Sequence, residues 1–174
     1  MKKGNNTFIS DKARIINSEN LTIGHNCKID DNCLIICKSK VKIGNYVHIG
    51  TNSILRAHKN ITIKDYALIS SFTDIYTESN YLNDNSFSHP LFMKKSSSNK
   101  ALSKELIIEK YSQLGSHSVI LPGAKIEEGA IVGALTLINF KTKKWTIYHG
   151  NPAKIIGTRN GKLIQKYFNK NNVE

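Results

Sequence analysis

Residues 108–138 read IEKYSQLGSHSVILPGAKIEEGAIVGALTLI, and an aliphatic side chain returns at every sixth position: Ile108, Leu114, Ile120, Ile126, Val132 and Ile138. The same step runs through earlier segments, as Ile9 and Ile15, then Ile23, Ile29 and Ile35, then Ile43, Ile49 and Leu55, then Ile63, Ile69 and Ile75. Four residues after nearly every one stands something small or slender: Ala13, Cys27, Cys33, Val47, Ser53, Ala67, Thr73, Ser112, Ser118, Ala124, Ala130 and Thr136. A step of six is neither the helical 3.6 nor the two of an alternating strand, which argues against an ordinary antiparallel sandwich.

Repeats of six indicate a parallel β-helix. Three sides of six residues close one coil of eighteen, so a residue lies directly under its counterpart in the next coil. The long residue fills the interior, and the small one lets the chain turn the corner. Coils about 4.8 Å apart then hydrogen-bond to one another as parallel strands. The phase slips by two at Leu21-Thr22-Ile23, Val41-Lys42-Ile43 and Ile61-Thr62-Ile63, which are spaced by twenty. These read as eighteen-residue coils, each with a two-residue bulge at a corner. The fold class expected is all-β, one solenoid domain over residues 1–158 with a tail at 159–174.

The chain has 174 residues, enough for one domain, and a net charge of +12 from 25 basic and 13 acidic residues. That balance calls for an anionic partner. The lysines are scattered over polar repeat positions with no interleaved aromatics, which argues against nucleic acid and suits a phosphorylated small molecule. Cys27, Cys33 and Cys37 are spaced by six and four with no histidine to complete a set, so no metal site is expected. Two of them occupy the small interior position, where cysteine acts as a compact apolar residue. Neither a signal peptide nor an apolar run of membrane-spanning length is evident, which leads to the expectation of a cytoplasmic protein.

The period stops after Ile75 and resumes near Ile107-Ile108. The interval 76–105 is polar, holds Pro90, and reads as one long loop protruding from a corner, a place where function concentrates. Beyond Ile138 the chain leaves the coil, turns at Gly150-Asn151-Pro152 and offers Ile155-Ile156 as a pair to bury. Leu163, Ile164, Tyr167 and Phe168 give Lys162–Asn171 an amphipathic helical pattern, and a short helix there is expected to cap the open end.

With the coils, the single loop, Gly115-Ser116-His117-Ser118-Val119-Ile120-Leu121-Pro122-Gly123 and Gly150-Asn151-Pro152-Ala153-Lys154 in view, the chain resembles the bacterial hexapeptide-repeat acyltransferases. The branch is that of maltose, galactoside and surface-polysaccharide O-acetyltransferases, and the resemblance covers about residues 20 to 158. It implies a left-handed parallel β-helix, a homotrimer, and acetyl-CoA sites in clefts between subunits. By position, Ser116 matches a residue contacting acetyl-CoA, Ala134 one whose backbone meets the pantetheine arm, and Lys154 a cation near the nucleotide phosphates. The common Thr-Lys pair after the last coil reads Asn139-Phe140 here. A basic residue often found three after Lys154 is replaced by Gly157, with Arg159 the nearest substitute.

Relatives usually carry a histidine just inside the loop, where this chain has Glu78 and Asn80. A sugar hydroxyl needs a base to take its proton, and His89 is the loop's only histidine, so His89 is the first candidate base and Glu78 the second. Asn80, Tyr81 and His117 are candidates to touch the acceptor. His25, His48 and His58 lie at polar repeat positions and read as surface. Three functions follow: O-acetylation of a surface-polysaccharide sugar or its precursor, N-acetylation of a nucleotide-linked amino sugar, whose amine needs less base assistance, or a non-catalytic trimeric scaffold.

Overall fold

The computed structural model describes residues 1–79 and 102–170, with the side chains of 168–170 left aside. The chain winds into about six coils of a parallel β-solenoid with three faces. The first face stacks Lys2–Lys3, Leu21–Ile23, Val41–Ile43, Ile61–Ile63, Leu106–Ile108 and Lys125–Ile126. The second runs from Phe8–Ile9 through Lys28–Ile29, His48–Ile49, Leu68–Ile69, Gln113–Leu114 and Ile131–Val132 to Thr146–His149. The third stacks Arg14–Ile16, Leu34–Cys37, Ile54–Ala57, Asp74–Tyr76, Val119–Ile120 and Leu137–Ile138.

Register follows the repeat. Ile69 pairs with Ile49 below and Leu114 above, and all three are fully buried. Every predicted small residue from Cys27 onward is buried as well, including Ser53, Thr73, Ser112, Ser118 and Thr136. Several of the hydroxyls are spent locally, since Ser53 Oγ donates to the Ser70 carbonyl (3.0 Å) and Thr73 Oγ1 to the same oxygen (2.7 Å), whereas Ser118 Oγ has no partner among the described residues. A polar atom inside the prism is tolerated because a corner carbonyl lies within reach.

The early coils advance by twenty residues, since Ile23 pairs with Ile43, while Leu114 pairs with Val132, an advance of eighteen. The two extra residues sit at the corner between the third and first faces. There the strands Leu34–Cys37 and Ile54–Ala57 are four residues long, against two in Val119–Ile120. The bulge expected from the phase slip is therefore a wider third corner.

Corners between the first and second faces hold residues in the left-handed conformation: Asn6, Asn26, Tyr46, Tyr66, Tyr111 and Trp145 all have φ between 52° and 61°. Asparagine adopts this readily, whereas a bulky aromatic does so at a cost. The coil pitch offsets it by placing successive rings at stacking distance: 4.9 Å for Tyr46 on Tyr66, 5.3 Å for Tyr66 on Tyr111 and 6.2 Å for Tyr111 near Trp145. A second column at the next corner stacks Phe72 on His117 at 4.7 Å and 7°.

At the C-terminal end Thr146–His149 turns back through Gly150 into Lys154–Thr158 as an antiparallel hairpin. That returning strand satisfies the edge of the second face, a task expected of the helix. The helix spans Gly161–Lys170, one residue ahead of the expected range, and leaves Leu163 64% and Tyr167 65% exposed. It is seated beside the first corner, where Gly161 lies so close to Trp145 that a Cβ would stand 2.5 Å from the indole. Ile155 and Ile156 are 51% and 66% exposed rather than buried, because their strand is the last of its sheet.

Burial raises the Cys27 and Cys33 thiols and, with Glu19 nearby, pushes Cys37 up from 9.0 to about 11. The unfolded chain ionises these groups first, so their contribution to stability falls as pH rises from 9.0 toward about 11. At pH 8 the native protein is expected to leave a chromogenic disulfide reagent unreacted until denaturant is added; immediate reaction of any of the three would contradict their burial. Ile69→Ala is expected to cost about 2–5 kcal/mol in urea unfolding, since it opens a cavity between Ile49 and Leu114.

Candidate functional site

Two regions gather the expected site residues, one at each edge of the third face. At the second corner, between the second and third faces, three of the five expected cofactor residues come together. Ser116 follows Gly115, and one coil later Ala134 follows Gly133. A Cβ on Gly115 would lie 2.5 Å from the Ala134 nitrogen, and one on Gly133 would lie 2.6 Å from the His149 ring. Only glycine permits this close stacking, which brings the backbone of successive coils into one narrow strip. Above it the hairpin turn begins, with Gly150 N–H donating to Thr136 Oγ1 at 2.9 Å, and Lys154 emerges exposed opposite His149. His117 joins the same edge, exposed and stacked on Phe72.

The other two cofactor candidates lie elsewhere. Asn139 is exposed just past Leu137–Ile138, toward the third corner. Arg159 reaches the first corner, where its Nη1 donates to the carbonyls of Tyr111 (2.9 Å) and Gly129 (3.0 Å). Burial lowers its pKa, and the guanidinium clamps the tail against two coils. The sequence pattern gave no sign of this role, because the three residues are 48 and 30 positions apart.

The root of the long insertion is the second region. Glu78–Ser79 leaves the third face and pairs antiparallel with Leu102–Ser103, placing Glu78 opposite Ser103. The predicted loop of 76–105 thus begins and ends in a two-stranded stem. Asn80, Tyr81 and His89 lie outside the described residues. Thr77, buried, ties the stem to the coil below: its Oγ1 accepts from Lys59 N–H at 2.9 Å and its carbonyl accepts from Lys104 N–H.

One residue read as surface belongs to this region. His58 lies one coil beneath Glu78, and its Nε2 stands 3.8 Å from Glu78 Oε1. The signal was present in the numbering, since 58 and 78 differ by twenty, the advance of these coils. The neighbouring positions repeat the relation, with the Arg56 guanidinium 5.7 Å from the Tyr76 ring centre. Burial, with Asp74 beside it, raises the Tyr76 phenol and keeps it a neutral donor. Among the described residues no cluster of three or more His, Cys, Asp or Glu side chains could hold a metal, and no helix is long and apolar enough to cross a membrane.

No protein-family model matches the chain. A dTDP-4-amino-4,6-dideoxy-D-glucose acyltransferase of Escherichia coli is 35% identical over 99 residues, which are 57% of this chain and 50% of that protein. The match thus spans about half the length of this curated relative. Among solved structures, the N-acyltransferase AntD of Bacillus cereus, in complex with dTDP and coenzyme A, superposes with a TM-score of 0.88 at 31% identity. That match covers 99% of this chain and 91% of AntD. Other AntD crystals hold dTDP-4-amino-4,6-dideoxyglucose with coenzyme A, or dTDP with 3-hydroxybutyryl-CoA. A maltose O-acetyltransferase of Clostridium difficile aligns with a TM-score of 0.58 at 16% identity, over 92% of this chain and 67% of that one, a likeness of fold alone.

Arg159→Ala is expected to reduce stability by about 1–2 kcal/mol, since two half-buried carbonyls lose their donor. Coenzyme A affinity by calorimetry should change by no more than about twofold. An unchanged thermal midpoint with a tenfold or so loss of affinity would assign the side chain to the nucleotide instead.

Proposed function

We propose that this chain, which belongs to the hexapeptide-repeat acyltransferases, moves an acyl group from a coenzyme A thioester to the amine of a nucleotide-linked amino sugar. The observation that carries this reading is the match to AntD over nearly the whole of both chains, with crystals of that enzyme holding coenzyme A beside a dTDP-linked amino sugar. Two properties of the chain agree with it. Its charge of +12 suits an acceptor and a donor that both carry phosphates. The stem of the insertion offers a carboxylate, Glu78, where O-acetyltransferases of the fold present a histidine, and an amine needs less help from a base than a hydroxyl does.

Sugar O-acetylation is the weaker alternative, since the O-acetyltransferase likeness is at the level of fold. Ser116, Ala134 and Lys154 on the second corner are the residues assigned to the donor, with Lys154 meeting phosphate. Homotrimeric assembly, with the sites at subunit boundaries, is part of the proposal. It is supported by the outward residues of the third face, Leu34, Ile36, Ile54, Val119 and Leu137, half-buried aliphatics on a surface where a solitary chain has no need of them.

In the reaction the amine nitrogen attacks the thioester carbon, the carbonyl oxygen gains charge, and the C–S bond then breaks to release the thiol as the nitrogen gives up its proton. The protein serves it by holding both substrates in one complex, with no covalent intermediate.

The test pairs dTDP-4-amino-4,6-dideoxyglucose with its 4-hydroxy counterpart, each offered with acetyl-CoA and with 3-hydroxybutyryl-CoA. Released thiol is read by a chromogenic reagent, for which the buried cysteines give no background. Product is expected from the amino sugar only. Product only from the hydroxy sugar would replace this reading with O-acylation.

A further inference from the structure

We propose that Glu78 and His58 form a proton-relay pair for the acceptor, in which Glu78 touches the amine and His58, acting through Glu78, holds the proton the amine gives up. The proposal rests on the amine-acylation reading. Four observations at the third corner support it.

The pair is fixed by the fold, since coil stacking places His58 under Glu78 with Nε2 and Oε1 3.8 Å apart. The separation is longer than a hydrogen bond and short enough for one to form when a proton arrives. Next, Nδ1 of His58 is enclosed and has no partner among the described residues, and the same holds for Oγ of Ser103, which stands opposite Glu78 on the stem. Enclosed polar atoms without partners are rare, and among the described residues two of the three lie at this corner, the third being Ser118 Oγ at the second corner. Third, Glu78 is the outer member, its side chain 36% exposed against 26% for His58, so the carboxylate is the one a substrate meets first. Finally, Ser103 also lines a cleft of about 370 Å³ with Ser39, Lys59, Asn60, Lys104 and Glu105, whose two lysines suit a diphosphate-bearing acceptor.

The chemistry follows from the acceptor. An amino sugar is an ammonium ion at neutral pH and has no lone pair to donate until a proton leaves. Glu78 accepts that proton and passes it to His58 Nε2, so the pair becomes carboxylate and imidazolium, each stabilising the other. The freed amine attacks the thioester, the C–S bond breaks as the nitrogen gives its second proton to the leaving sulfur, and the imidazolium then releases the first proton to water, which restores the pair. The surrounding charged and titratable groups are Lys38 from the coil below, Arg56 and Lys59 from His58's own coil, and Tyr76, Lys104 and Glu105 from the chain above.

His58→Gln and Glu78→Gln, singly and together, test the pair, with kcat, KM, coenzyme A affinity and thermal midpoint measured from about pH 6 to about pH 9. Each single variant is expected to lower kcat about a hundredfold near neutrality with coenzyme A affinity unchanged, and the double variant to be no worse than either. Activity of the variants should recover as pH rises, because free amine then forms without the relay; a merely structural loss does not recover. His58→Asn replaces the glutamine variant if the latter melts early. Wild-type kcat in a folded His58 variant, or losses that add and persist at high pH, would overturn the relay alone. A wild-type protein inert toward the amino sugar would overturn the acylation reading and the relay with it.

Discussion

Registration of each coil on the one beneath is the constraint from which the rest of the molecule derives. A β-solenoid has one free distance, the rise per coil, and hydrogen bonding fixes it near the strand spacing of about 4.8 Å. Side chains at equivalent positions are then compelled to touch. Where they are aliphatic the contact fills the interior, as Ile49, Ile69 and Leu114 do. Where they are aromatic it stacks rings along a corner and makes a costly left-handed backbone tolerable for Tyr46, Tyr66 and Tyr111. Where they are charged it builds ion pairs in rows, such as Lys125 with Glu109 and Glu127.

The same rule makes the functional regions. At the second corner the glycines before Ser116 and Ala134 remove side chains that would hold the coils apart, so the strip assigned to the donor is narrow and made largely of backbone. At the third corner the wider turn of the twenty-residue coils gives room for the insertion to depart. A residue on the coil below the departure point, His58, is thereby carried beside Glu78 at the root of the insertion. Solenoids suit this use, because substrate-binding edges run along the axis and a single insertion alters one edge while leaving the core alone.

Membership of the hexapeptide-repeat acyltransferases was legible in the chain because the six-residue repeat is joined by one long loop and by the motifs at Gly115–Gly123 and Gly150–Lys154. The placement of the candidate site residues was legible only where they sit on or beside that repeat. Ser116 and Ala134 follow the coil and Lys154 the hairpin beside it, and all three lie along one corner, whereas Arg159 lies in the tail, where no period constrains it, and its guanidinium serves the backbone of Tyr111 and Gly129. Ile155 and Ile156 misled for a related reason: apolar residues in a strand suggest burial, but theirs is the terminal strand of its sheet. His58 was passed over although the twenty-residue advance, already visible at Ile23, Ile43 and Ile63, links it to Glu78.

The sequence by itself determined the parallel solenoid, its coil length, its interior, the point at which the insertion leaves and the presence of a C-terminal helix. All of these depend on local spacing, and a period survives in one dimension. The tertiary structure decided which corner absorbs the extra residues, that a returning strand and not the helix closes the second face, and which polar side chains meet. Those outcomes depend on distances between residues far apart in the chain, set by how each coil closes on its neighbour.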